Sequence, residues 1–204
     1  AQTTLAGAVE VSGVALHGGH SVRARLSPAP ADSGIVFVSG GVEIPATVDH
    51  VVDTQLATTL GLDGAKVRTV EHLLATLLGL GIDNLHIVVE GEELPALDGC
   101  GAAWAAHIRG VGLCAQDRPK TLFTLCAPVE YRDGSRLARL EPCSGLSVDL
   151  SIDFEHPSVG QQRLNIDLQE GVFERELAWA RTFGFEHQVP AMQRMGLVRG
   201  GSLD

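Results

Sequence analysis

Glu71 and His72 stand side by side at the head of a leucine-rich stretch, Arg68-Thr69-Val70-Glu71-His72-Leu73-Leu74-Ala75-Thr76-Leu77-Leu78-Gly79-Leu80-Gly81-Ile82-Asp83-Asn84. A neutral imidazole is a metal ligand. A carboxylate beside it is a chemically sensible base for a water activated there. The element that must position this pair is a helix. Val70, Leu73, Leu74, Leu77, Leu78 and Leu80 recur at three- and four-residue spacing, the apolar stripe of a core-facing helix. Thr69 is read as its N-cap, and Gly79 and Gly81 as the left-handed backbone that ends it. Glu71 and His72 then fall in the first turn, where the helix dipole favours a carboxylate and disfavours a charged imidazole. From the pair alone, an ordinary first-turn Glu and a half-buried His are the plain alternative.

The remaining composition narrows the classes. The 204 residues suffice for one large domain or two small ones, and the 45% hydrophobic content supports a real core. A net charge of -10 argues against a nucleic-acid surface, which needs dense basic contacts. Cys100, Cys114, Cys126 and Cys143 form no Cys-x-x-Cys pair, so a structural zinc knot is not expected. No signal peptide and no bilayer-length apolar run is seen. Reduced thiols in a cytoplasmic protein are the simpler reading. The first residue is Ala1 rather than Met, which reads as processing or cleavage.

Taken in order, residues 5–11 read as a strand, and 13–19 as a Gly-rich turn containing His17. Val22, Ala24 and Leu26 alternate with polar neighbours, as in a half-buried strand ended by Pro28 and Pro30. Short strands follow at 35–38 and within 42–67, with 56–62 as an edge piece. After the central helix come a strand at 85–90 and an Ala-rich helix at 101–111. The polar, Pro-containing run around 114–122 is read as a domain boundary, giving domains 1–115 and 116–204. Strands are expected at 122–131, 136–141, 146–154 and 162–168, with helices at 173–180 and 190–195. The fold class is α+β, strand runs with helices covering one sheet face.

The Thr69-Val70-Glu71-His72 segment resembles that of the UDP-3-O-acyl-N-acetylglucosamine deacetylases, the zinc amidases that commit the lipid A pathway. The resemblance extends over Gly13-Val14-Ala15-Leu16-His17-Gly18-Gly19, Leu94-Pro95-Ala96-Leu97-Asp98-Gly99 and Asp153-Phe154-Glu155-His156-Pro157. It continues through Ala180-Arg181-Thr182-Phe183-Gly184-Phe185 to Gly200-Gly201-Ser202-Leu203-Asp204. It implies two similar domains, each a β-sheet layered with α-helices, the second incomplete in this chain. The chain then corresponds to about the first two-thirds of the family's length.

By the same resemblance the cofactor is Zn(2+), His72 is its first ligand and Glu71 is the base. The Thr182 hydroxyl donates to the oxyanion; in isolation, Thr182 reads as a capping residue. Phe183 packs on the sugar and Leu56 touches the substrate near the metal. Arg136 meets the diphosphate or is one more solvated strand Arg. Val189, Met192, Leu197 and Val198 line an apolar passage for the acyl chain or are simply core. His17 lies beside the site. Asp98 is read as a turn-former or cap. The family takes its other two ligands from a His-x-x-x-Asp helix, and none of the eight His here has an Asp four residues on. Its catalytic acid, a further His, is also expected beyond Asp204, so these residues alone are expected to be nearly inactive. The partners implied are the acylated UDP-glucosamine substrate and the remaining C-terminal segment as a separate chain, with no nucleic acid and no transmembrane segment. The rival readings are a non-catalytic paralogue that binds an acylated nucleotide sugar or a regulatory partner, and a different sugar deacetylase on the same fold.

Overall fold

The structure, a computed structural model, describes residues 1–201; Ser202, Leu203 and Asp204 of the last motif lie outside the described residues. In chain order, the first half runs β1 (Thr3–Leu5), β2 (Val9–Val14), β3 (Ser21–Pro28), β4 (Ile35–Ser39), β5 (Val42–Pro45), β6 (Val51–Asp53), β7 (Thr59–Leu62), β8 (Ala65–Arg68), α1 (Glu71–Gly79), β9 (Leu85–Glu90), α2 (Ala102–Val111) and β10 (Leu113–Ala115). The second half holds β11 (Val129–Asp133), β12 (Arg136–Leu140), β13 (Ser147–Phe154), β14 (Gly160–Asp167) and α3 (Val189–Arg194). The protein is thus mixed α and β, with several sheets and few helices. No helix among the described residues is long and apolar enough to cross a membrane.

A five-stranded sheet, in the order β2-β3-β9-β4-β5, carries the core. The β4–β9 pair is parallel and the other neighbours are antiparallel. Period-two alternation decides its faces. Val22, Ala24 and Leu26 of β3 point inward and are buried. Arg23 and Arg25 point outward and pair with Glu90 and Glu10 at 3.8 and 3.5 Å. Both main helices cover the inward face. Leu73 and Leu77 of α1 and Trp104 and Ile108 of α2 join Phe37, Ile44 and Ile87 in one cluster. Full burial stabilises each such side chain by about 1.5–3 kcal/mol. Three-stranded β6-β7-β8 delivers the chain into α1, and β1 pairs with β10.

Several sequence expectations shift. The strand expected at 5–11 is two strands, because the chain changes partner: β1 runs with β10 and β2 with β3. The 56–62 piece is strand only over Thr59–Leu62, and Leu56 precedes it at φ 59°. The 122–131 strand shortens to Val129–Asp133, since β12 offers five partners and Pro128 stands just before it. Thr69 does not cap α1. Val70 holds the N-cap position without a side-chain bond, and the Thr69 hydroxyl goes elsewhere. Gly81, at φ 72°, supplies the left-handed residue after α1, whereas Gly79 is its last helical residue.

The helix expected at 173–180 is one wide turn, Phe173–Leu177, closed by the Ala178 N–H donating to the Phe173 carbonyl at 2.8 Å. Beyond it the Ala178 carbonyl accepts from the Ala102 N–H at 2.7 Å, which draws the chain onto α2. Arg109 of α2 donates to both oxygens of Glu174, at 3.0 and 2.6 Å. That bidentate pair is the main reason the Glu174 carboxyl is held below its ordinary range. Hairpins β11–β12 and β13–β14 leave Tyr131, Leu140 and Leu150 exposed.

Candidate functional site

Glu71 and His72, both half-buried, open α1 as expected. The Thr58 N–H donates to Glu71 Oε2 at 3.0 Å, so the loop that carries exposed Leu56 is tied to the carboxylate. One turn further along α1, the Thr76 hydroxyl donates to the His72 carbonyl at 2.8 Å and lies 3.4 Å from the Gly101 carbonyl. This contact joins the start of α2 to the helix of the pair.

Thr182 docks on the loop before α2. Its N–H donates to the Gly99 carbonyl at 2.9 Å, and a Cβ on Gly99 would stand 3.5 Å from its methyl. Its exposed hydroxyl has no bonded partner among the described residues. Arg181 donates to Asp98 Oδ2 at 3.2 Å, and the Cys100 thiol reaches the same carboxylate at 3.2 Å. Asp98 forms the local turn expected of it, its Oδ1 accepting the Cys100 N–H at 3.3 Å, and through Arg181 it also anchors the Thr182 segment. Desolvation works against its charged form, but the bonds from the Cys100 thiol, Arg181 and the Cys100 N–H outweigh it and hold the carboxyl below its ordinary value. The folded state is the one with the lowered pKa. The anchor's contribution is therefore full above the ordinary carboxylate range and is lost as pH falls through the depressed value. Arg181→Ala is expected to move the Asp98 titration upward in carboxyl-carbon NMR; an unmoved titration would remove the guanidinium as a cause.

Phe183 lies edge-on to Phe154, with ring centroids 5.4 Å apart, and to Phe185 at 5.8 Å. His156 and His187 flank Phe185 at 5.1 and 5.7 Å. Sequence reasoning singled out Phe183 alone. Phe154, His156 and Phe185 lay in quoted motifs without a role, because only tertiary structure converges them. Such pairs add about 0.5–1.5 kcal/mol beyond burial, and Phe183 remains 55% exposed.

His17 is 3% exposed. Its Nδ1 accepts the Val198 N–H at 3.4 Å, and Nε2 is buried without a partner among the described residues. Val198, at φ 53°, follows α3, and the Leu197 N–H donates to the Met192 carbonyl at 2.9 Å. Val189, Met192, Leu197 and Val198 are all half-buried, and all lie on α3 or the turn after it. The Gly200 N–H donates to the Leu16 carbonyl at 2.9 Å, and a Cβ on Gly200 would run into the Ala15 carbonyl. Arg136 opens β12, where it pairs across the hairpin with Asp133 at 3.9 Å, both exposed.

Sequence reasoning also missed Glu93, which is 3% exposed. Its Oε1 accepts the His17 N–H at 2.8 Å and the Thr69 hydroxyl at 3.1 Å, and its Oε2 accepts the Gly18 N–H at 2.9 Å. Glu92-Glu93 reads in sequence as a solvated pair, and nothing local marks one of them as interior.

The fold is mixed α and β, and a carboxylate and an imidazole share the first turn of a helix that packs on its main sheet. Residues 2–204 match the LpxC family, described as UDP-3-O-acyl N-acetylglycosamine deacetylase. Proteins named UDP-3-O-acyl-N-acetylglucosamine deacetylase from Anaeromyxobacter dehalogenans (strain 2CP-C), Anaeromyxobacter sp. (strain Fw109-5) and Myxococcus xanthus (strain DK1622) are 48%, 47% and 45% identical to it. Each comparison covers 100% of this chain, but 67%, 67% and 66% of the respective relative. The chain belongs to the LpxC deacetylase family, and it spans about two-thirds of the length of these relatives.

Proposed function

We propose that this chain carries the base, one metal ligand and the oxyanion donor of a zinc-dependent deacetylase. That enzyme hydrolyses the N-acetyl group of UDP-3-O-acyl-N-acetylglucosamine, releasing acetate, in lipid A (lipopolysaccharide) biosynthesis in the cytoplasm. The observation that carries the reading is the Glu71–His72 pair in the first turn of α1, with its carboxylate steadied by the Thr58 N–H.

His72 fits zinc as one ligand: a half-buried imidazole at a helix start, next to a carboxylate. A catalytic zinc usually takes three protein ligands. No group of three His, Cys, Asp or Glu side chains is placed to hold a metal among the described residues, so His72 does not make the centre by itself. When bound, zinc supplies a Lewis acid that polarises a carbonyl and brings the pKa of water to about 7. Glu71 takes the proton of the attacking water. The Thr182 hydroxyl donates to the oxyanion that forms, a contribution of about 3 kcal/mol where such donors have been removed. Phe183 receives the sugar and Leu56 the group beside the reacting amide. Val189, Met192, Leu197 and Val198 wall the acyl passage beside His17, and Arg136 meets the diphosphate. Residues 1–115 and 116–204 belong to two domains of similar construction. No His here is followed by Asp at the spacing of the family's other two ligands, so these residues do not supply those two ligands.

The test uses the protein expressed from its complete gene, with acetate release from the acylated nucleotide sugar as readout. Turnover that ceases with a chelator and returns with zinc is expected. Stoichiometric zinc in the wild type and its loss in His72→Ala are expected alongside. A zinc-loaded protein that releases no acetate would overturn the reading. The 204 residues alone should turn over little substrate.

A further inference from the structure

Residues 92–96 lie between two segments that lead into the site. On one side Arg68, at the end of β8, bridges to Glu93, with the Arg68 N–H donating to the Glu92 carbonyl at 2.8 Å. On the other, Ala15 bridges to Pro95, and the Ala96 N–H donates to the Val14 carbonyl at 3.0 Å. Both chains leave these bridges and turn within a few residues. One turn is Thr69, followed by Glu71 and His72. The other is His17-Gly18, whose imidazole meets Val198.

A single buried carboxylate holds both turns. Glu93 accepts from Thr69 with one oxygen and from the Gly18 N–H with the other, and the His17 N–H shares the first. Thr69 has φ 59°, a conformation that a β-branched residue rarely adopts. Such strain persists only where the surroundings over-determine it. Here the surroundings are the Glu93 bond, the flanking bridge and the buried Val70 that follows. The direction in which α1 leaves β8, and with it the position of Glu71 and His72, depends on that strained residue.

We propose that Glu93 is a positioning residue of the deacetylase, setting the distance between the Glu71–His72 pair and the His17 turn through Thr69. The proposal rests on the function proposed above. It assigns Glu93 no contact with substrate and no proton transfer. Glu93→Gln keeps the volume but turns one oxygen into a donor. In either amide orientation, one oxygen position then offers N–H groups to backbone donors instead of accepting from them. Thr69→Val removes only the hydroxyl that reaches Glu93, and Thr69→Ser keeps it.

The experiment measures kcat and KM for these three variants of the protein expressed from its complete gene, with the folded fraction fixed by near-ultraviolet circular dichroism. Misplacement of a reacting group costs up to about 100-fold in rate. We expect kcat to fall about 10- to 100-fold in Glu93→Gln and Thr69→Val, with KM within about twofold and near-wild-type kcat in Thr69→Ser. A purely structural role would lower the folded fraction and leave kcat per folded molecule unchanged. Unchanged kcat in folded Thr69→Val overturns the proposal, even if Glu93→Gln does not fold. An inactive wild type would instead overturn the proposed function, and this role with it.

Discussion

Replacing Glu71 by Gln in the protein expressed from its complete gene should lower kcat by about 10²–10⁴-fold while leaving KM nearly unchanged, the range over which a general base contributes. Gln retains an oxygen that can accept the Thr58 N–H now held by Glu71 Oε2 at 3.0 Å, so the loop carrying Leu56 stays in place. It cannot take a proton from water at neutral pH. An interaction needed only in the transition state lowers kcat and kcat/KM together. Steady-state acetate release with near-wild-type thermal stability is the combination to look for. Turnover within about threefold of the wild type would remove Glu71 from proton transfer.

Gly79→Ala should be the most damaging small substitution on α1. Taken alone, the helix predicts the opposite, because Ala is favoured over Gly in a helix by about 1 kcal/mol. The structure reverses the sign. A Cβ at Gly79 would lie 2.5 Å from Phe173 Cδ1 and 2.7 Å from Phe173 Cβ. The Phe173 ring is buried. It is 7% exposed, and its Cζ lies 3.1 Å from where a Cβ on Gly101 would be. Two glycines, one at the end of α1 and one before α2, thus cradle the ring that ties the second half of the chain to the first. Overpacking of this kind costs about 1–3 kcal/mol. For a chain of this size that lowers Tm by several degrees, at about 2–4 °C per kcal/mol. Calorimetry decides, and an unchanged or raised Tm would mean that Phe173 and its turn move aside freely. Gly79→Ala combined with Phe173→Leu should recover part of the loss, since the smaller side chain vacates the space that the new methyl needs.

The two substitutions differ in how far the sequence foresaw them. Glu71 was legible because helical periodicity is local: the leucines of α1 announce the helix, and the helix places the pair in its first turn. Strand β9 was legible too, since the strand expected at 85–90 is Leu85–Glu90. The family resemblance added roles for Thr182, Phe183 and His17 from contiguous motifs. The role of Gly79 as a cradle could not be read, because its partner Phe173 is far along the chain. An isolated Gly near a helix end reads as a stop signal instead.

By itself, then, the sequence determined the class of fold, most strand and helix positions, the family, and the placement of Glu71 and His72 in the first turn of a core-facing helix, all of which reside in short-range patterns of polarity and side-chain type. Only the tertiary structure decided that Thr69 bonds to Glu93 rather than capping α1, and that the expected helix at 173–180 is one wide turn. It also decided that Asp98 anchors the Thr182 segment. In each case a local preference worth a few tenths to about 1 kcal/mol competes with burial and bonding between distant segments. A carboxylate such as Glu93, removed from water among three donors, must keep those donors whatever its neighbours in sequence prefer.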